Sequence, residues 1–294
     1  MVSDRTEGPD RHDGARLAVM KEPFGLRALY LLFGLLFRLV FGLFGVRRAV
    51  IRGNLARSFT ELDTPSLRRI ERNFLARQAE IAAETVYAQR MPAEELRARV
   101  QLDEADLARL RAAAPPRPLV LAGGHLGNPE WMLLRLSLEL DDGLLGLYKP
   151  IRNERMDGWF LRLRTRFGAR LVPAKSVLAE LARFREARAI GLLADQAPTT
   201  SPEKHWTRFL EQDTAFYMGP ELLARALRSQ LCMIRVERLA RGRYRVTLEP
   251  LNEAGERLAT GALSDRYAQA LEREIRADPA SWWWSHKRWK LTRS

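Results

Sequence analysis

Residues 123–131 read GGHLGNPEW, placing a histidine, His125, five positions before a glutamate, Glu130, across a Gly-Asn-Pro turn. An imidazole works as a general base near neutral pH when a carboxylate accepts its Nδ1 proton and leaves Nε2 for the substrate. The flanking residues predict a geometry for such a pair. The apolar run PLVLAG ends just before His125, Asn128 suits a helix N-cap, Pro129 the first helical position and Glu130 the first turn. A strand-turn-helix of this kind holds imidazole and carboxylate near one another, which is two-thirds of a triad. The third member is missing: no Gly-x-Ser-x-Gly elbow occurs, and the single cysteine, Cys232, lies in LCMIRV, which reads as a buried strand thiol. A catalytic pair here needs a nucleophile that arrives with the substrate. A hydroxyl attacking an activated acyl group fits, with backbone N–H groups of the turn receiving the oxyanion. On spacing alone, that pair and a satisfied structural histidine stand level.

The elements that must position these residues follow from hydrophobic periodicity. Residues 47–113 carry apolar positions at helical spacing, as in LRRIERNFLARQAEIAAETVYAQR, and MPAEELRARV opens another helix at its proline. After APPRP the pattern shifts to short apolar runs: PLVLAG, LLGLY, ARLVP, AIGLLAD, LCMIRVERL and RYRVTLEPL. Helical stretches such as WMLLRLSLEL and KSVLAELARFREA separate most of them. The alternation predicts an α/β domain with a mostly parallel central sheet flanked by helices, ending in an antiparallel hairpin around Ala240-Arg241-Gly242. Ligands in such sheets gather beyond the carboxyl ends of the strands, where His125 lies.

Residues 28–46, ALYLLFGLLFRLVFGLFGV, hold one charge in a stretch about as long as a bilayer-crossing helix. Their seven Leu, four Phe and two Val favour insertion by roughly 4–8 kcal/mol, against roughly 2.5–3.5 kcal/mol for Arg38. Membrane association wins on that comparison, and both a full span and a deeply dipped interfacial helix fit. The expected organisation is a disordered leader over 1–24, a membrane-anchor helix over 25–47, a helical segment over 48–114 and an α/β core over 115–294.

The chain has 49 Lys+Arg against 36 Asp+Glu, a net charge of +13, and only six of the 49 are lysine. That balance predicts an anionic partner: nucleic acid, a membrane surface, a phosphorylated substrate or an acidic carrier protein. Guanidinium forks suit bidentate grip on phosphate or carboxylate. Four scattered histidines and one cysteine show no metal-ligand spacing, and no glycine-rich nucleotide loop occurs, so neither metal nor cofactor is expected.

Five blocks in order carry a resemblance to a known family. GGHLGNPEW resembles the first block of the lipid A biosynthesis acyltransferases, the lauroyl and myristoyl late-stage family within the wider glycerolipid acyltransferase group, whose mark is a histidine followed after four residues by an acidic one. YKPIRNERMDGWFLRLRTRFGARLVP, at 148–173, is similar to the second, with Lys149 where arginine is common and Arg164 and Arg166 in its Arg-x-Arg-x-Gly run. LLADQ, at 192–196, resembles the third, and FLEQDTAFYMGPELLARAL, at 209–227, the fourth, although Leu210 and Glu211 depart from its pattern. WWWSHKRWK, at 282–290, resembles the closing Trp-x-His-Arg-Arg-Trp-Lys.

The resemblance implies a glycerol-phosphate acyltransferase-like fold and an inner-membrane enzyme whose active site faces the cytoplasm. Its donor would be a fatty acyl thioester on acyl carrier protein, its acceptor a hydroxyl of a lipid A precursor, and nucleic acid would not be a partner. It carries over His125 as general base and Glu130 as the partner orienting it, with Arg164 and then Arg166 binding phosphate or the acyl carbonyl. Lys149 and Asn128 join the substrate-binding set. Asp195 either positions one of these arginines or is a surface turn residue. Trp282, Trp283 and Trp284 form either an aromatic belt at the headgroup level or a core plug. The same chemistry on a glycolipid, a mannosylated inositol lipid or a polyene lipid is the first rival, and a non-catalytic protein docking anionic lipid the second.

Overall fold

The computed structural model of the chain describes residues 22–174, 181–198 and 203–293; the expected leader, residues 1–24, lies almost wholly outside them. The apolar segment forms α1 (Phe24–Phe37), continued by a wider π-helical turn over Arg38–Leu43. Gly45 and Arg47, both at positive φ, then break the helix. The apolar helix therefore ends short of 47. α2 (Arg48–Ser58), α3 (Thr64–Tyr87), α4 (Ala93–Arg99) and α5 (Glu104–Ala112) follow, with a three-residue strand, β1 (Val100–Leu102), inside a region read as helical.

Beyond it come β2 (Leu119–Gly123), α6 (Pro129–Leu140), β3 (Leu144–Tyr148), α7 (Glu154–Arg164), β4 (Arg170–Pro173), α8 (Leu181–Glu186) and β5 (Ala189–Leu193). The chain then forms β6 (Lys204–Phe209), β7 (Gln212–Tyr217), α9 (Gly219–Leu227), β8 (Leu231–Ala240), β9 (Arg243–Pro250) and α10 (Ala262–Ala277).

Seven strands make one sheet in the order β1-β9-β8-β2-β5-β3-β4, parallel at every pairing except the β8–β9 hairpin. This is the mixed, mostly parallel α/β sheet that the alternation of apolar runs and helices predicts, and the hairpin turns at Arg241-Gly242 as expected. The centre is β2, whose LVLAG is buried throughout because strands flank both its edges and helices cover both its faces. α6 packs with α4 and α5 and against β1 and β3, while α9 and α10 pack against β2 and β8.

The β6–β7 hairpin stands apart from the sheet. Leu210 and Glu211 form its two-residue turn, both at positive φ (48° and 62°). Asn-Gly normally fills such a turn, so Leu-Glu gives no turn signal in the sequence. Tertiary contacts hold it instead: the Leu210 N–H donates to Glu272 at 2.8 Å, and Arg276 binds Glu211 at 2.9 Å.

Candidate active site

β2 and β5 are neighbours in parallel register, with Gly123 opposite Leu193. His125 and Asp195 each lie two residues past that pair, so the two strand ends deliver them to the same place. Asp195 Oδ1 lies 2.6 Å from His125 Nδ1, while its Oδ2 accepts the His125 backbone N–H at 2.9 Å and the Trp282 indole N–H at 2.8 Å. Burial alone would raise the Asp195 carboxyl, but the His125 ring and the hydrogen bonds from His125 and Trp282 outweigh it and hold the group at about 2. An ionised Asp195 fixes the Nδ1–H tautomer, leaving Nε2 as the acceptor, with the Gln196 amide nitrogen 3.3 Å away. The edge of Trp283 sits on the ring, centroid to centroid 4.9 Å.

Glu130, expected as the partner of that imidazole, has a different one. Its carboxylate takes a bidentate grip from Arg164, Nε to Oε2 at 2.8 Å and Nη2 to Oε1 at 2.6 Å. The reason is geometric: as second residue of α6 it faces the end of α7, whose Arg164 also stacks over Phe160 at 4.9 Å. Asp195, in turn, binds the histidine and Trp282, and among the described hydrogen bonds and ion pairs none joins it to Arg164 or Arg166. Asn128 is the N-cap, its Oδ1 accepting from Trp131 N at 3.0 Å and its Nδ2 donating to buried Glu84 at 2.8 Å, so both polar ends of this buried side chain are paired within the fold. Arg166 caps the end of the α3 region, donating to the Ala88 and Met91 carbonyls at 2.6 Å each. Lys149 is exposed at the end of β3.

An acid-oriented histidine lies beyond a parallel strand, and five positions on stands a glutamate gripped by arginine. A family model described as bacterial lipid A biosynthesis acyltransferase matches residues 18–291. The chain belongs to that family. No curated protein matches it. Membership gives it an acyltransferase activity of the lipid A kind, acting between an acyl donor and a lipid acceptor.

In this acyltransferase the glycines on either side of His125 leave the turn little room for a side chain, and at Gly127 the backbone conformation itself favours glycine. A Cβ on Gly124 would stand 2.7 Å from Leu271 and 3.7 Å from the Asp195 carboxyl carbon. Gly127 has φ +55°, and a Cβ there would meet Val236 at 2.8 Å. The closing tryptophans divide between the two roles left open for them. Trp282 and Trp284 are buried and plug the core, with a single antiparallel bridge joining Leu126 to Trp282, whereas Trp283 is 42% exposed over His125.

Arg47, Gln196, Trp283, Ser285 and His286 line a cavity of about 230 Å³ beside that ring. His286 Nε2 accepts the Ala197 N–H at 3.2 Å; burial and then the nearby Lys290 and Arg288 charges hold it neutral, at about 4. Four residues thus escaped the sequence analysis as site components: Trp282 as a donor, Gln196, His286 and the buried Glu84. The first three sit inside quoted blocks, but nothing in a block says which side chains meet.

Proposed function

We propose that the protein is membrane-bound and transfers a fatty acyl chain from an acyl carrier protein thioester to a hydroxyl of a lipid A precursor, at the cytoplasmic face of the inner membrane. Residues 25–47 serve as the anchor, 48–114 as a helical support and 115–294 as the acyltransferase core. The observation that carries this reading is the imidazole of His125, tied by Nδ1 to an ionised Asp195 with Nε2 beside the cavity, while Ser285, the serine lining that cavity, has its hydroxyl accepting the Trp283 indole N–H and is joined to the imidazole by none of the described hydrogen bonds. The one thiol, Cys232, is buried in β8 and pushed up to about 12, which makes it inert.

The chemistry follows from those groups. Nε2 takes the acceptor's hydroxyl proton as its oxygen attacks the thioester carbonyl. The tetrahedral intermediate collapses by breaking C–S, and the proton on Nε2 passes to the departing thiolate, so no acyl-enzyme forms. Asp195 stabilises the imidazolium between these steps. Arg164, preset by Glu130, is the candidate for the acceptor phosphate or the acyl carbonyl, with Lys149 as an exposed second cation. The net charge of +13 suits an acidic carrier and a bis-phosphorylated lipid.

The test is purified protein with lipid A precursor and a panel of acyl carrier protein and coenzyme A thioesters, with products read by mass spectrometry. The expected product is the precursor carrying one further acyl chain, formed from the carrier thioester. Acylation only of a mannosylated inositol lipid or a polyene would overturn the acceptor, and coenzyme A preference would overturn the donor.

A further inference from the structure

We infer that the N-terminal apolar helix docks in the plane of one leaflet of a lipid bilayer and does not cross it, which deepens the membrane association proposed above. Length does not decide the matter, because the helical run from Phe24 through Leu43 reaches ~30 Å at ~1.5 Å per residue. Packing does. Leu26 and Tyr30, with Leu29 and Phe33, press against Ala83 and Tyr87 of α3, and the Tyr30 hydroxyl donates to Glu84 at 2.9 Å. The chain meets α3 again at Glu71, where Arg48 and Arg52 bind the carboxylate at 2.8 and 2.9 Å. Glu84 and Glu71 lie about 20 Å apart along a helix. The apolar helix therefore runs beside α3 in the opposite direction and does not project from the body.

α3 is a charged helix, with seven Asp, Glu, Lys or Arg residues among its 24, of which Arg68, Arg69 and Arg72 are exposed. Arg77–Asp278 and Arg238–Glu80 pairs, at 2.5 and 2.7 Å, tie it to the α/β core. A bilayer that took the apolar helix end to end would take the flank of α3 and these charges with it.

The free face of the apolar helix has the pattern of a surface-lying element. At about 100° per residue, Phe24, Leu31, Leu32 and Leu35 fall on the side away from the Leu26–Tyr30–Phe33 face, and Leu31 and Leu35 are 77% and 69% exposed. Arg27 and Arg38, about three turns apart, fall on one edge of that stripe, both exposed. Cations aligned along an edge, with their stems over apolar surface, match guanidinium groups reaching anionic headgroups from a helix half sunk in the lipid. Exposed Phe44 and Val46 extend the apolar surface to Arg47, which lines the cavity beside Trp283. The lipid plane then meets the mouth of the His125 site, and an acceptor hydroxyl reaches Nε2 without its lipid leaving the membrane.

Single-cysteine labelling tests the topology. Cys232 is buried, so the unaltered protein supplies the blank; Ser3→Cys reports the N-terminal side and Ala254→Cys the α/β body. A membrane-impermeant maleimide is expected to label both in inverted inner-membrane vesicles and neither in intact spheroplasts. Ser3→Cys labelled only in spheroplasts, with Ala254→Cys labelled only in inverted vesicles, would mean a span and overturn the inference. Flotation with phosphatidylglycerol–phosphatidylethanolamine vesicles tests the occupant: the purified protein floats, and Leu32→Glu with Leu35→Glu lowers the bound fraction about tenfold or more. A protein that stays at the bottom as a dimer would show the stripe covering a second copy instead, which also overturns it. Neither failure touches the acyl-transfer reading, which is judged by product formation.

Discussion

At the residue scale the account turns on one imidazole and what orients it. His125→Ala removes the base and is expected to slow transfer about 10²- to 10⁴-fold with the fold intact, checked by single-turnover rates and circular dichroism. Trp282→Phe deletes one of three hydrogen bonds to Asp195 while keeping the plug, so a smaller loss, about tenfold, is expected in the same assay. His286 gives a pH signature. Its folded value, about 4, lies below the ordinary ~6.5, so folding favours the neutral ring. The stability it contributes is fully present above about pH 6.5 and is lost as pH falls through that value towards 4. Thermal melts across this window are expected to fall more steeply for the wild type than for His286→Gln, which keeps an acceptor and does not titrate.

At this scale His125, the helix cap at Asn128 and the glutamate five positions on were legible in the sequence, because spacing along one turn is local information. It assigned the wrong carboxylate to the imidazole. Asp195 reaches His125 only because β5 lies next to β2 with Gly123 opposite Leu193, and strand order is not written in either strand.

At the scale of elements, the buried Glu84 on α3 fastens three others. Its carboxylate accepts from Tyr30 of α1 at 2.9 Å, Tyr244 of β9 at 2.7 Å and Asn128 at the start of α6 at 2.8 Å, with no cation among those donors. Desolvation pushes its carboxyl upward while the three donors oppose the shift. Asn128→Ala removes an N-cap, about 1 kcal/mol, and leaves part of that buried carboxylate unpaired, about 1–3 kcal/mol more. Denaturant unfolding is therefore expected to show a loss of about 2–4 kcal/mol. The six apolar runs proved legible as strands, β2 by the continuous hydrophobic sequence that burial on both faces gives and β9 by its alternation of buried and more exposed positions. β1 and the β6–β7 hairpin did not, since three residues make no pattern and KHWTRF and QDTAFY owe their pairing to a Leu-Glu turn held by Glu272 and Arg276.

At the scale of the whole molecule, the proposed function asks a cationic protein with an apolar helix near its candidate site to bring an acidic carrier and a lipid to one place. Long-range attraction of this kind is screened by salt. Raising ionic strength is expected to increase KM for the acyl carrier thioester about tenfold or more, with kcat little changed, in steady-state assays on mixed micelles. The α/β class, the hairpin and the family resemblance were all open to the sequence. The lie of the apolar helix was not, because hydropathy reports insertion strength but not the neighbour on its packed face.

The most direct measurement of the central claim is the single-turnover rate of acyl transfer for Asp195→Asn beside the wild type, with both shown to be folded. Asparagine keeps the shape but not the charge that holds Nδ1 protonated. The account predicts a fall of about 10²-fold or more, approaching that of His125→Ala. Transfer by Asp195→Asn within about threefold of the wild type would contradict it.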